Sequence, residues 1–297
     1  MARTVLITGA NGFVGQYLSR KLVLLGFRVI ATGKGKQRFN IASKRFIYEP
    51  LDFTIAEEVT ILMEKYLPDV MLHSGAMSKP DECEQRQEEA FRVNVTGTKL
   101  LLDAGAKIKA HFIFLSTDFV FDGLEGPYDE AATYSPVNYY GKTKVLAESA
   151  VKNYPFTWSI VRTSSVYGDP MGTRNNLVTL VREKLLAGEM MHIFDDQVRR
   201  PTYVEDLVEG ITAIIEKASC GVFHLCGKDD ITIFGLAMLT AKHLGLDVKL
   251  IKAVQADNFP QPAKRPVDTR LNTGKAKKIL DYSPRNLATG IALCFPN

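Results

Sequence analysis

Through the first half of the chain, short β-branched runs alternate with longer stretches of helical periodicity. Val5 to Thr8 reads as a strand and Gly12 to Leu25 as the helix after it. Arg28 to Thr32 and Phe46 to Leu51 read as strands, and Ala56 to Tyr66 as a helix before the strand Val70 to His73. Glu88 to Ala106 is predicted to be one long helix, followed by the strand His111 to Ser116. A helix over Asn138 to Asn153 then leads to the strand Thr157 to Arg162. Such alternation predicts a parallel sheet with helices on both faces, a doubly wound α/β fold of the Rossmann type.

The pattern changes after Arg162. Turn-rich sequence around Gly168 and Gly172 precedes helices near Asn175 to Leu186 and from Pro201 to about Lys217. Gly221 to Leu225 reads as a strand, Pro260, Pro262 and Pro266 mark a loop, and a short helix begins at Thr273. The expected division is a dinucleotide-binding domain over 1–163, with 202–225 returning to it, and a smaller mixed α/β substrate-binding lobe over 164–297.

Composition narrows the class only modestly. The 297 residues are 46% hydrophobic and 24% charged, and the net charge of +4 gives no case for nucleic acid. No run of 18 apolar residues argues for a membrane span, and no secretory leader is read at the start, so a cytoplasmic protein is expected. Cys83, Cys220, Cys226 and Cys294 form no C-x-x-C pair and read as reduced thiols. Cys220, His224 and Cys226 lack a fourth ligand nearby and read as core side chains, so no metal is expected.

Chemistry enters with Gly9-Ala10-Asn11-Gly12-Phe13-Val14-Gly15, between the first strand and the first helix. Glycines at this spacing allow a tight turn and let a pyrophosphate approach the backbone N–H groups at the helix N-terminus. The second strand ends in Thr32-Gly33-Lys34-Gly35-Lys36-Gln37-Arg38, with no acid before Glu49 to accept from a ribose 2′-OH. Lys34 and Arg38 therefore favour NADP(H), with NAD(H) as the alternative.

Two Y-x-x-x-K pairs occur, each placing its side chains on one helix face. Tyr17 and Lys21 have no partner hydroxyl nearby and read as structural. Tyr140 and Lys144 follow a strand ending in Ser116-Thr117-Asp118, so a strand-end hydroxyl can meet the phenol above a cofactor. Hydride arriving at a carbonyl carbon leaves charge on oxygen, and that oxygen needs a proton. A phenol with an ordinary pKa near 10 donates poorly at neutral pH, and a neighbouring Lys144 cation lowers that value. Tyr140 is thus the expected general acid, and Thr117 the donor to the developing oxyanion.

These segments resemble the extended short-chain dehydrogenase/reductase superfamily, and within it the dTDP-4-dehydrorhamnose reductases. Ser116-Thr117-Asp118-Phe119-Val120-Phe121-Asp122-Gly123 is similar to that family's S-T-D-Y-V-F-D-G, and Tyr140-Gly141-Lys142-Thr143-Lys144 adds to the likeness. So do Arg162-Thr163-Ser164, Arg200-Pro201-Thr202-Tyr203 and Arg265-Pro266. The resemblance implies Thr117, Tyr140 and Lys144 as catalytic residues, with Asn94 supporting the lysine through water. It implies Asp52 and Phe53 at the adenine, and Ser74, Gly75 and Ala76 along the cofactor. Asp118, Phe119, Arg162, Arg200 and Arg265 are the expected substrate contacts, with Arg199 and Lys264 joining Arg200 and Arg265 as a group able to bind an anion. Met77 and Phe119 stand where the family has tyrosines, which leaves the identity of the sugar open. The activity implied is NADPH-dependent reduction of a nucleotide-linked 4-keto-6-deoxysugar by a homodimer formed through the Glu88–Ala106 and Asn138–Asn153 helices. The alternatives are a nucleotide-sugar epimerase or dehydratase, and a non-catalytic regulatory subunit of the same fold. Phe119 at the dehydratases' glutamate position disfavours dehydration.

Overall fold

The structure, a computed structural model, describes residues 3–296. Met1, Ala2 and Asn297 from the predicted segments lie outside the described residues. The β-branched runs form β1 (Thr4–Thr8), β2 (Arg28–Gly33), β3 (Phe46–Pro50), β4 (Val70–His73), β5 (His111–Thr117) and β6 (Trp158–Thr163). A later strand, Gly221–His224, returns to pair in parallel with β6. The seven strands form one parallel sheet in which β1 lies between β4 and β2. The strand order therefore reverses beside β1, where a crevice opens at the carboxyl ends of the strands.

Alternation along each strand divides the core. Val5, Ile7, Val29, Ala31, Val70 and Leu72 face one way, against Leu18 and Leu22 of α1 (Phe13–Leu24) and Leu207, Ile211 and Ile214 of the helix Val204–Lys217. Leu6, Ile30, Met71, Phe112 and Phe114 face the other way, against α2 (Ala56–Tyr66) and the helices Gly97–Lys107 and Tyr139–Lys152. Fully burying a side chain of this size is worth about 1.5–3 kcal/mol, so both faces contribute strongly.

The helix expected over Glu88 to Ala106 is not continuous. Pro80–Gln85 forms α3, Gln87–Phe91 forms α4, and Arg92–Thr96 widens into a π-helical turn before α5 (Gly97–Lys107). The next helix, α6, runs Tyr139–Lys152, and α7 runs Leu177–Leu186. Two-residue strands β7 (Val166–Tyr167) and β10 (Thr202–Tyr203) pair in parallel.

Beyond α7 the chain forms elements the periodicity did not announce. β8 (Met191–Phe194) pairs with β13 (Ile251–Val254), and β9 (Val198–Arg199) pairs with β12 (Ile231–Thr232). Between these come α8 (Val204–Lys217), β11 (Gly221–His224) and α9 (Ile233–His243), and the chain closes with α10 (Gly274–Leu280) and α11 (Leu287–Cys294). Val181, Leu185, Ile193, Ala237, Ala241 and Ile251 give this lobe a small core of its own. Among the described residues, no helix is long and apolar enough to cross a membrane.

Candidate active site

A cleft of about 940 Å³ opens at the carboxyl ends of the strands. Its floor begins at Gly9, which turns the chain with φ +71°, and a Cβ there would stand 2.6 Å from the Gly75 nitrogen. At Gly15 a Cβ would stand 2.4 Å from the Gly9 carbonyl oxygen. Both glycines are therefore needed for the loop after β1 to lie against α1 and the loop after β4. Gly12 caps α1 without a side-chain bond, and the first turn holds no acid. The N–H groups of Phe13, Val14 and Gly15 thus lack intrahelical acceptors and meet the cleft at the positive end of the helix dipole. This uncapped cradle fits a pyrophosphate. Asn11, Ser74, Gly75, Ala76 and Arg38 also line the cleft.

Asn11 shapes the basic loop. Its Nδ2 donates to the Lys36 carbonyl (3.0 Å) and to the Tyr48 hydroxyl (2.7 Å), while its Oδ1 accepts from the Arg38 N–H at 3.0 Å. Tyr48 was not anticipated from the sequence. The loop also has a carboxylate beside it. Pairing of Gly33 with Pro50 brings Asp52 to Lys34, with 2.9 Å between charged atoms. Burial opposes ionisation of Asp52, but Lys34 and Thr54 outweigh it and hold its pKa down at about 2. Lys34 is thereby paired, whereas Arg38 lines the cleft. Phe53 lies behind the cleft wall, since a Cβ on either Gly75 or Gly97 would stand 2.7 Å from its ring.

Thr117, Phe119, Tyr140 and Lys144 line the same cleft, on the far side of the glycine loop. Asn138 caps α6 by accepting from the Gly141 N–H (2.8 Å), and a Cβ on Gly141 would meet the Phe119 carbonyl oxygen at 2.2 Å. The first turn of α6 therefore sits directly on the end of β5. Burial pushes the Tyr140 phenol above its ordinary pKa, and the Thr117 hydroxyl opposes that shift. Lys144 is 2% exposed, donates to the Leu115 carbonyl at 2.7 Å and lies 3.9 Å from the centre of the Phe114 ring. With no carboxylate bonded to it, burial lowers its pKa to about 7.

Asn94 occupies the π-helical turn. Its Oδ1 accepts from the Met77 N–H at 2.8 Å, and its Nδ2 donates to the Met77 carbonyl and the Thr143 hydroxyl, each at 3.0 Å. Thr143 in turn donates to the Tyr140 carbonyl at 2.7 Å. Asn94 thus joins the π-helical turn to the Met77 backbone and, through Thr143, to the first turn of α6.

The Thr117 hydroxyl has one proton to share between Asp118 Oδ1, 3.1 Å away, and the Tyr140 phenol. Asp118 is only 3% exposed and also accepts from Ser164 (2.8 Å) and Thr269, with Arg199 at 3.7 Å. It is a junction between β5 and the second lobe, although part of it reaches the cleft wall. Thr117 can donate to an oxyanion only when its proton is given to neither of them.

The three arginines expected at substrate are placed elsewhere. Arg162 is 1% exposed and clasps Glu148 with Nε and Nη2, the shortest contact being 2.8 Å. Arg200 pairs with Asp230, and Arg265 with Asp81 through both terminal nitrogens at 2.7 Å. None of the three lines the cleft, and each is paired with a carboxylate outside its lining. Arg199 is also engaged, donating to the Val198, Val267 and Pro266 carbonyls. Lys264 is exposed outside the cleft lining. His224 contacts Arg162 and the Asn272 carbonyl, and Cys226 the Leu271 carbonyl. No group of three His, Cys, Asp or Glu suited to a metal occurs among the described residues.

The family described as RmlD substrate binding domain matches residues 3–297. The chain belongs to that family. A dTDP-4-keto-6-deoxy-D-glucose reductase of Streptomyces niveus is 30% identical over 293 residues, covering 98% of this chain and 96% of that one. Methionine adenosyltransferase 2 subunit beta of Xenopus tropicalis is 29% identical over 283 residues, covering 93% of this chain and 82% of its own length. Among solved structures, dTDP-4-dehydrorhamnose reductase from Bacillus anthracis str. Ames in complex with NADP superposes with a TM-score of 0.85 at 25% identity, covering 99% of each chain. The RmlD family thus includes this parallel sheet and its crevice, and the relatives include both reductases and an adenosyltransferase subunit.

Proposed function

We propose that this RmlD-family protein is an NADPH-dependent reductase of a nucleotide-linked 4-keto-6-deoxysugar, with Tyr140 as the proton donor. The observation that carries the reading is the convergence of Tyr140, Lys144 and Thr117 with the uncapped first turn of α1 in one cleft. The Streptomyces niveus and Bacillus anthracis reductases, the latter crystallised with NADP, support the substrate class and the cofactor.

The loop from Gly9 to Gly15 would hold NADPH, which would supply the hydride. The protein's own task is to give the carbonyl oxygen a proton and to stabilise its charge meanwhile. Tyr140 keeps its proton at neutral pH because burial disfavours the phenolate. Lys144, one helical turn beyond Tyr140 and held by the Leu115 carbonyl, makes proton loss by the phenol less costly when it is itself protonated. Anionic groups entering the cleft favour the charged form of Lys144, so ligand binding itself activates the pair. Asn94 acts through Thr143 to hold the helical turn from which Tyr140 projects.

The test is loss of nicotinamide absorbance when purified protein, NADPH and enzymatically generated dTDP-4-dehydrorhamnose are mixed. Oxidation by the wild type, slowed by about 10²–10⁴ in Tyr140→Phe, is the expected result. Oxidation unaffected by that substitution overturns the assignment of Tyr140. A second reading, a non-catalytic subunit of the same fold, draws support from the likeness to the Xenopus tropicalis subunit. It predicts NADPH binding without turnover on any keto sugar.

A further inference from the structure

A nucleoside-diphosphate sugar brings at least two negative charges into the cleft, and removing them from water without a counter-charge is costly. Arg162, Arg200 and Arg265 cannot meet that need, because Glu148, Asp230 and Asp81 already neutralise them outside the cleft lining. Among the described residues, the cations that line the cleft are Arg38, Lys144 and Arg174. Lys144 is buried and committed to the Leu115 carbonyl. Arg38 is tied through its backbone to Asn11, at the end of the cleft formed by the basic loop. Arg174 remains.

Arg174 lies on the loop between β7 and α7 and makes no side-chain hydrogen bond or ion pair among the described residues. The base of this loop is fixed. Asn176 caps α7 and donates to the Gly168 carbonyl at 2.7 Å, and the Tyr17 hydroxyl donates to the Asp169 carbonyl at 3.1 Å. Thr173 closes the turn by donating to the Pro170 carbonyl at 2.6 Å. An exposed guanidinium is thus carried on an anchored turn at the wall of the cleft, which Ser78 and Pro80, the first residue of α3, also line. Its field reaches Glu82 of α3, whose carboxylate already accepts from Lys79.

We propose that Arg174 is the specificity-determining cation that holds the diphosphate of a nucleoside-diphosphate sugar in this cleft, which rests on the substrate class proposed above. The planar guanidinium fork can bind two phosphate oxygens at once, and its exposure lets it reach a ligand without breaking an internal ion pair. The same chemistry exists in the pyrophosphate of NADPH, so the test must separate the two sources.

Calorimetric titrations of dTDP, UDP and GDP, and separately of NADPH, would be run on wild type, Arg174→Gln and Arg174→Lys. The expected result is at least tenfold weaker nucleoside-diphosphate binding by Arg174→Gln, with a shallower salt dependence and NADPH affinity within twofold of wild type. Arg174→Lys should recover part of the loss. Unchanged nucleoside-diphosphate affinity overturns the proposal, as does a loss confined to NADPH. Wild type that binds NADPH but none of the three diphosphates also overturns it. Protein in which Arg174 governs diphosphate binding, yet which oxidises no NADPH with a keto sugar, upholds the inference and contradicts the reductase reading alone.

Discussion

The floor behind the cleft and the rim around it use arginine in opposite ways. Behind β5, Arg162 is held between the Phe121 and Tyr134 rings and paired with Glu148, which also accepts from Ser116 at 2.5 Å and from Tyr134 at 2.6 Å. On the rim, Arg38 and Arg174 reach water and have no carboxylate partner among the described residues. In a low-dielectric interior a cation must be matched at once, and its charge is then unavailable to a ligand. Where water solvates the guanidinium, the charge can stay unmatched until an anion arrives. Position within the fold, more than residue type, decides which arginines can read a substrate.

The largest effect should come from breaking the floor. Glu148→Gln leaves the Arg162 guanidinium buried beside a neutral amide, and removing one partner of a buried ion pair costs about 3–5 kcal/mol. Urea unfolding should register a loss of that size, while a loss below about 1 kcal/mol would mean that water reaches the pair. The amide keeps only one acceptor oxygen, so Ser116 and Tyr134, which each donate to their own carboxylate oxygen, can no longer both be satisfied.

A second, smaller effect separates the interior from the rim by pH. Burial pushes the pKa of His73 down to about 3, of His111 to about 4 and of His224 to about 3. In the unfolded chain these groups titrate near 6.5, so between about 4 and 6.5 the unfolded state binds more protons. Stability should therefore rise with pH across that window, and Tm at pH 6.5 should exceed Tm at pH 4.5. Equal values would show that the histidines are not held neutral.

The smallest effect belongs to the rim itself. Arg38→Gln should weaken NADPH by about 1 kcal/mol, roughly fivefold to tenfold, and leave NADH unchanged. Equal losses for both cofactors would place Arg38 on their shared pyrophosphate instead of the 2′-phosphate.

The glycine loop and the Tyr140–Lys144 pair were legible because their chemistry depends on local spacing. Three glycines opening a helix, and two side chains four residues apart, state their geometry directly. The arginines were not legible, since Arg162 meets Glu148 across α6 and β6, and Arg265 meets Asp81 from a segment 184 residues away. Asp52 was missed beside Lys34 for the same reason, as only the β2–β3 register brings them together. Among the elements, β8, β9, β12 and β13 are two to four residues long, too short for alternation to register. The Ile233–His243 segment is apolar at most positions, so no single face marks it as a helix. The π-helical turn at Arg92–Thr96 sits inside a stretch whose residues suit an ordinary helix.

Hydride transfer is the central claim, and isotope transfer tests it most directly. The protein would be incubated with dTDP-4-dehydrorhamnose and NADPH deuterated at C4 of the nicotinamide, each C4 epimer in a separate reaction. The account predicts a sugar product one mass unit heavier with one epimer only, its deuterium at the former keto carbon. Product lacking deuterium with both epimers, or NADPH consumed without a reduced sugar, would contradict it.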